Sequence, residues 1–231
     1  MEITAEKIMQ QLSAGTQVAG VIAVFGEEGY YKDKIAAALP RAVFGDAAPE
    51  DREITVFERD TDIKEISAAV NTYPFFSGRS LVIIKDEKLW GGKDGGEKRK
   101  QQQEELAELL ADVPEHCQVL LLGEKIDKRG KLYKSLLKTA AMVECKSLKS
   151  YQLKPWLDEQ AALRGCRFDY EASQTIMEYL SVTDNAPLLL LEQEIEKLSV
   201  YAGERKIWTK DDIEQTFAAL PEVSRFALLN A

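Results

Sequence analysis

The chain has 231 residues, of which 45% are apolar and 30% charged, and its net charge is −9. That is enough apolar material for a real core in one large or two modest domains, and so acidic a chain repels a nucleic-acid backbone as a whole. Three cysteines at unrelated spacings, Cys117, Cys145 and Cys166, form neither a disulfide framework nor a metal set and fit a reducing cytosol. The N-terminus lacks a signal pattern, and no run of about eighteen apolar residues argues for a membrane span.

A short helix is expected over 3–12, with Ile8 and Leu12 on one face. Residues 18–25 are almost unbroken apolar and end at Gly26, the pattern of a strand buried on both faces of a sheet. Tyr31, Ile35 and Leu39 follow at helical spacing, and Pro40 is expected to stop that helix. Residues 53–57 read as a second strand. Ile63, Ile66, Val70 and Tyr73 mark one face of the next helix, which Pro74 breaks because its ring cannot continue the hydrogen-bond ladder. Residues 80–84 form a third strand, and the Gly- and charge-rich stretch 91–100 reads as a mobile loop before a helix over 104–110. A fourth buried strand over 119–122, a helix carrying Leu132, Leu136 and Leu137, and a short fifth strand over 142–145 complete the alternation. Alternating strands and helices imply a mostly parallel sheet with right-handed crossovers.

The pattern changes near Ser147, beyond which no convincing buried strand appears. Leu153, Trp156, Leu157 and Ala161 define a helix closed by Gly165; Ala172, Ile176 and Leu180 define another. Leu188, Leu191, Ile195 and Leu198 form a helical stripe ending before Gly203. Thr209 with Asp212 three residues on reads as an N-cap, for a helix burying Ile213, Phe217 and Leu220. The expected organisation is an α/β domain over 1–146 and a small all-α domain over 147–220. The stretch 221–231, with Phe226, Leu228 and Leu229, reads as the start of a further helical element.

A parallel sheet followed by a small helical domain suggests a nucleotide-driven ATPase, but the phosphate grip is missing. The first strand runs into Gly26-Glu27-Glu28-Gly29, and the chain contains no Gly-Lys-Ser/Thr. A carboxylate about 4 Å from a phosphate charge is repelled by about 4 kcal/mol at an effective dielectric of 20, so Glu27 and Glu28 oppose a triphosphate there. Asp86 and Glu87 after the third strand could mimic a metal-holding acidic pair, which leaves a divergent ATP-binding protein as the alternative. Without a phosphate loop they read as solvated acids. The single histidine, His116, precedes Cys117, and sequence neighbours on a strand point to opposite faces, against a Cys–His catalytic pair. Lys98-Arg99-Lys100 reads as a solvated basic run rather than a DNA contact.

What remains is Tyr73-Pro74-Phe75-Phe76-Ser77-Gly78-Arg79, between the second helix and the third strand. Pro74, Ser77 and Gly78 specify a turn. Adjacent phenylalanines in a turn are hard to bury together. They read either as an exposed binding surface or as a cap on the sheet core.

Several segments in this order resemble the delta subunit of the bacterial DNA polymerase III clamp loader: Gly26-Glu27-Glu28, Pro74-Phe75-Phe76-Ser77-Gly78-Arg79-Ser80-Leu81-Val82, Asp127-Lys128-Arg129, Lys131-Leu132-Tyr133-Lys134, Glu192 and Glu194 with Glu196-Lys197-Leu198, and Phe226. The resemblance extends over essentially the whole chain. It implies an AAA+-like five-stranded parallel sheet without ATPase chemistry, a helical lid domain, and a third, collar domain that joins five subunits, of which 221–231 would be the truncated start. It implies no cofactor, metal or catalytic residue, and membership of a DNA-directed DNA polymerase (nucleotidyltransferase) holoenzyme in the cytoplasm. It implies that the chain binds and opens the ring-shaped sliding clamp (beta), and that its other partners are clamp-loader subunits, with DNA contact weak or indirect. Phe75 and Phe76 match the two main hydrophobic clamp-binding positions, with Tyr73 and Pro74 supporting them. The family often has leucine then phenylalanine there, and more often a non-glycine at position 29.

Overall fold

A computed structural model describes residues 1–16, 18–58, 61–85, 96–181 and 187–217. They divide into two compact units, Met1–Lys146 and Ser147–Ala231.

The first unit is organised by strand β1 (Val21–Phe25), whose five residues are all buried. It pairs in parallel with β4 (Cys117–Gly123) on one side and β5 (Ala141–Glu144) on the other. β3 (Ser80–Ile84) adds to β4, and β2 (Glu53–Phe57) adds to β3. The spatial order is β2-β3-β4-β1-β5. β3 and β1 are buried along their whole length, which is why they read as apolar runs without alternation. On one face Val21, Ala23, Phe25, Val82, Ile84, Val119, Leu121 and Met142 form a core with helices α3 (Ile63–Asn71), α4 (Glu97–Leu109) and α5 (Lys131–Thr139). The alternate residues face α1 (Ala5–Ser13) and α2 (Gly29–Phe44), which contact β5 and β3–β4 respectively. Residues 1–3 run along β5, where Ile3 N–H donates to Met142 O and Met142 N–H to Met1 O, so that edge is covered. The opposite edge, β2, exposes Ile54, Thr55 and Val56.

Three expectations need correction here. Pro40 does not end α2: the helix continues to Phe44 and closes at Gly45, whose φ is +59°. Proline inside a helix costs about 3 kcal/mol, but the extra turn buries Val43 and Phe44, each worth about 1.5–3 kcal/mol. Residues 97–100, assigned to a loop, belong to α4. Their Glu-Lys-Arg-Lys sequence has good helix propensity without an apolar stripe, and Gln101 donates to Glu105 one turn on. Tyr73 is not on the buried face of α3, which ends at Asn71; it is 72% exposed.

The second unit comprises α6 (Ser150–Leu163), α7 (Tyr170–Leu180), α8 (Leu188–Ala202) and α9 (Lys210–Thr216). Their cores use the residues expected from spacing: Trp156, Leu157, Ile176, Leu191, Ile195, Leu198, Ile213 and Phe217 are buried. Pro155 is tolerated within the second turn of α6. Thr209 caps α9 in a reciprocal box with Asp212, and Arg205 donates twice to the same carboxylate at 2.7 and 2.9 Å. The unit also contains a parallel pair missed from sequence, β6 (Arg167–Phe168) with β7 (Ile207–Trp208). Two residues are too few to show a period, and Phe168 and Trp208 instead pack edge-on with ring centroids 5.1 Å apart. Leu220, Phe226 and the remainder of 218–231 lie outside the described residues. Among those described, no helix is long and apolar enough to cross a membrane.

Candidate functional site

Because every strand of the main sheet is parallel, the loop after β1 and the loop before β3 lie at opposite ends of it. The first is where a nucleotide fold holds phosphate. Here it is filled by the chain's own groups. Gly26 has φ +129°, and a Cβ there would sit 2.0 Å from the carbonyl oxygen of Cys145, so the loop is pressed against the end of β5. The Glu28 carboxylate accepts the Tyr30 N–H at the start of α2, the position that would offer its amide to an anion. Lys32 Nζ donates to Gly26 O at 2.8 Å rather than standing free toward a ligand. Burial pushes the Cys145 thiol up to about 12 and raises that of Cys117 as well, so both are protonated and poor nucleophiles at neutral pH. Asp86 and Glu87, the alternative ATP-site candidates, lie outside the described residues. Among the described residues no group of three His, Cys, Asp or Glu could hold a metal.

The loop before β3 is different. Phe75 is 86% exposed and Phe76 65% exposed. Their rings meet edge to face, with centroids 4.9 Å apart and planes at 82°, a favoured aromatic geometry. The reading of these rings as a cap on the sheet core is thereby excluded. Tyr73 shares the exposed surface, whereas Pro74 is buried: the backbone dips inward at the proline and returns outward to present the two rings. Gly78, at φ +65°, supplies the left-handed residue that turns the chain into β3, and Ser77 Oγ donates to Arg79 O at 2.8 Å.

Both sheet neighbours of β3 reach this loop. From β2, one carboxylate oxygen of Glu53 accepts the backbone N–H groups of Phe75 and Phe76 at 2.6 and 3.0 Å. Just before β4, the His116 ring meets Tyr73 at a tilt of 60° with ring centroids 5.1 Å apart, and its carbonyl accepts the Ser80 N–H at 2.8 Å. Cys117 turns instead into the core, so the His116–Cys117 neighbours diverge as strand alternation requires. Neither Glu53 nor His116 was predicted as a support. Their signal is non-local: β2 pairs Glu53 with Ser80, and β4 pairs Cys117 with Ser80, so only the sheet order brings residues 53, 75 and 116 together.

Comparison with known proteins bears on this geometry. The family described as DNA polymerase III, delta subunit, matches residues 25–146, more than half of the chain. The chain is 29% identical over 217 residues to DNA polymerase III subunit delta of Bacillus subtilis, covering 93% of this chain and 61% of that protein. Among solved structures it resembles the Bacillus subtilis DNA clamp loader delta protein with a TM-score of 0.73 and 25% identity, covering 91% of this chain and 61% of that one. The chain thus spans about three-fifths of the length of the relatives it matches. Its five-stranded parallel sheet is AAA+-like, and the chain belongs to the DNA polymerase III delta subunit family.

Proposed function

We propose that this chain binds the sliding clamp through Phe75 and Phe76, with Tyr73 beside them, and opens it for loading onto DNA during replication. The observation that carries this reading is a pair of adjacent, largely exposed aromatic rings on a turn pinned to the sheet. A pair of this kind is an unfavourable way to meet water and a good anchor for an apolar pocket. Membership of the DNA polymerase III delta subunit family supports the sliding clamp as the owner of that pocket. Pro74 serves from beneath, as a buried anchor of the loop. The wedge stands at the sheet end opposite the Gly26 loop, so its action needs no nucleotide on this chain. Hydrolysis belongs to partner subunits of the loader, which control access to the wedge.

Opening requires that the wedge bind the distorted or open clamp better than the closed one, because equal affinity for both shifts nothing. No bond is made or broken by this chain. The test is direct binding of the clamp by the Phe75→Ala/Phe76→Ala variant. A folded variant with undiminished affinity would end the assignment.

A further inference from the structure

We propose that Glu53 is the positioning residue of the clamp-binding wedge: its carboxylate, by accepting the amides of Phe75 and Phe76 together, fixes the rings in their binding arrangement before the clamp arrives. This rests on the wedge reading above and adds to it a residue on a different strand, twenty-two positions away in sequence.

The argument begins with what the loop lacks. Residues 72–79 belong to no helix or strand, and Tyr73, Phe75, Phe76, Gly78 and Arg79 are all exposed. An exposed segment without ladder hydrogen bonds samples many backbone conformations, and ordering it on binding subtracts from affinity. Phe75 and Phe76 are where that loss would fall. Their amides both donate to one oxygen of Glu53, at 2.6 and 3.0 Å. Two consecutive N–H groups converging on one carboxylate oxygen hold the intervening peptide in a single orientation, and bonds to a charged acceptor are the stronger kind. With the peptide fixed, consecutive side chains leave the backbone in fixed directions, consistent with the edge-to-face ring contact at 4.9 Å.

Glu53 is itself well anchored. It is the first residue of β2, in register with Ser80, the first residue of β3. It is half-buried, while the next three residues of the strand are exposed. A charged residue opening an edge strand serves generally to discourage edge pairing, but this one turns back onto its own sheet. Ser77 Oγ bonded to Arg79 O and Tyr73 in tilted contact with the His116 ring brace the loop on either side of the rings. These braces hold the ends of the loop; Glu53 holds its centre.

The experiment compares the unaltered chain with Glu53→Ala, Glu53→Gln and Phe75→Ala/Phe76→Ala, each first checked for folding by thermal melting. In the free proteins, exchange and chemical shifts of the Phe75 and Phe76 amides are read by NMR. Affinity is then measured for the sliding clamp of the same bacterium. Glu53→Ala should accelerate exchange at those two amides and weaken clamp binding about ten- to thirtyfold, with both rings still present. Glu53→Gln keeps a weaker, neutral oxygen acceptor at the same place and should recover part of the protection and affinity, which a role in charge alone would not allow. Unchanged affinity and exchange in Glu53→Ala, alongside lost affinity in the double phenylalanine variant, would overturn the role of Glu53 and leave the wedge standing. If the double variant keeps its affinity, the wedge reading falls, and the amide exchange alone decides whether Glu53 holds the loop.

Discussion

Removing Phe75 and Phe76 one at a time and together separates binding from folding. Fully burying a phenylalanine is worth about 1.5–3 kcal/mol. Phe75 has 86% of its surface still to bury and Phe76 65%, so the rings can contribute about 1.3–2.6 and about 1–2 kcal/mol on complex formation. Together that is about 2.3–4.6 kcal/mol, or about 50- to 2,000-fold in affinity. The contributions should not simply add. In either single variant the remaining ring loses its edge-to-face partner and must be ordered on binding, so the two single losses should exceed the double loss by about 0.5–1.5 kcal/mol. Because both rings are exposed in the free chain, none of this should appear in folding stability, where each variant should lie within about 0.5 kcal/mol of the parent. Calorimetric titration with clamp and urea melts of the same samples give the two sets of numbers. Clamp affinity that is unchanged, or that falls only in step with folding stability, would refute the reasoning.

Three further outcomes follow from other parts of the molecule. Gly26→Ala must move the Cys145 carbonyl from 2.0 Å and adopt a φ of +129°, so it should cost about 3 kcal/mol or more and lower the melting temperature by about 6 °C or more. For Asp212, burial raises the carboxyl pKa, but the Thr209 amide, the Arg205 guanidinium and the Thr209 hydroxyl outweigh it and hold the group below its usual range. Its stabilising contribution is therefore complete above the unfolded-state value and lost as pH falls through the lower folded value. Asp212→Asn should be about 1–2 kcal/mol less stable than the parent at pH 7, and the gap should close in acid melts below about pH 4. Cys145, pushed up to about 12 by burial, should resist iodoacetamide at pH 8 in the folded chain and react once urea unfolds it; rapid native alkylation would contradict its placement.

The sequence was most readable where one periodicity ruled a whole element. Residues 21–25 and 80–84 are apolar throughout because both faces of those strands are covered, and Leu188, Leu191, Ile195 and Leu198 mark a helix buried along one stripe. Reading failed where local and tertiary preferences disagreed. Pro40 carries a strong local stop, but burial of Val43 and Phe44 beyond it prevails. Residues 97–103 lack an apolar period because the start of α4 is polar, so their helix propensity was the better guide. The candidate site divides in the same way. The turn chemistry of Pro74, Ser77 and Gly78 around two phenylalanines is local and visible in the residues. Their exposure is not, because it depends on what the rest of the sheet covers. Glu53 and His116 were invisible for a stronger reason: each meets the loop only through the register of β2 and β4 on either side of β3.

That placement also bears on how much work the wedge can do. If all of the roughly 2.3–4.6 kcal/mol available from the two rings were realised on the open clamp alone, it would shift a closed-to-open equilibrium by at most about 2,000-fold. Turning a clamp that is open one time in a hundred into one open ninety-nine times in a hundred needs about 5.5 kcal/mol of differential affinity. On the proposed function the rings alone therefore fall short, and further contact surface must discriminate between the two states. A loosely held loop could follow the clamp in either state and would waste part of that differential. A loop pinned from both neighbouring strands presents one shape, and a clamp state that fits it less well gains correspondingly less. On the proposed function, rigidity at the base of the wedge would convert ring burial into preference for one clamp conformation, and a carboxylate on the edge strand would matter to a contact it does not itself make.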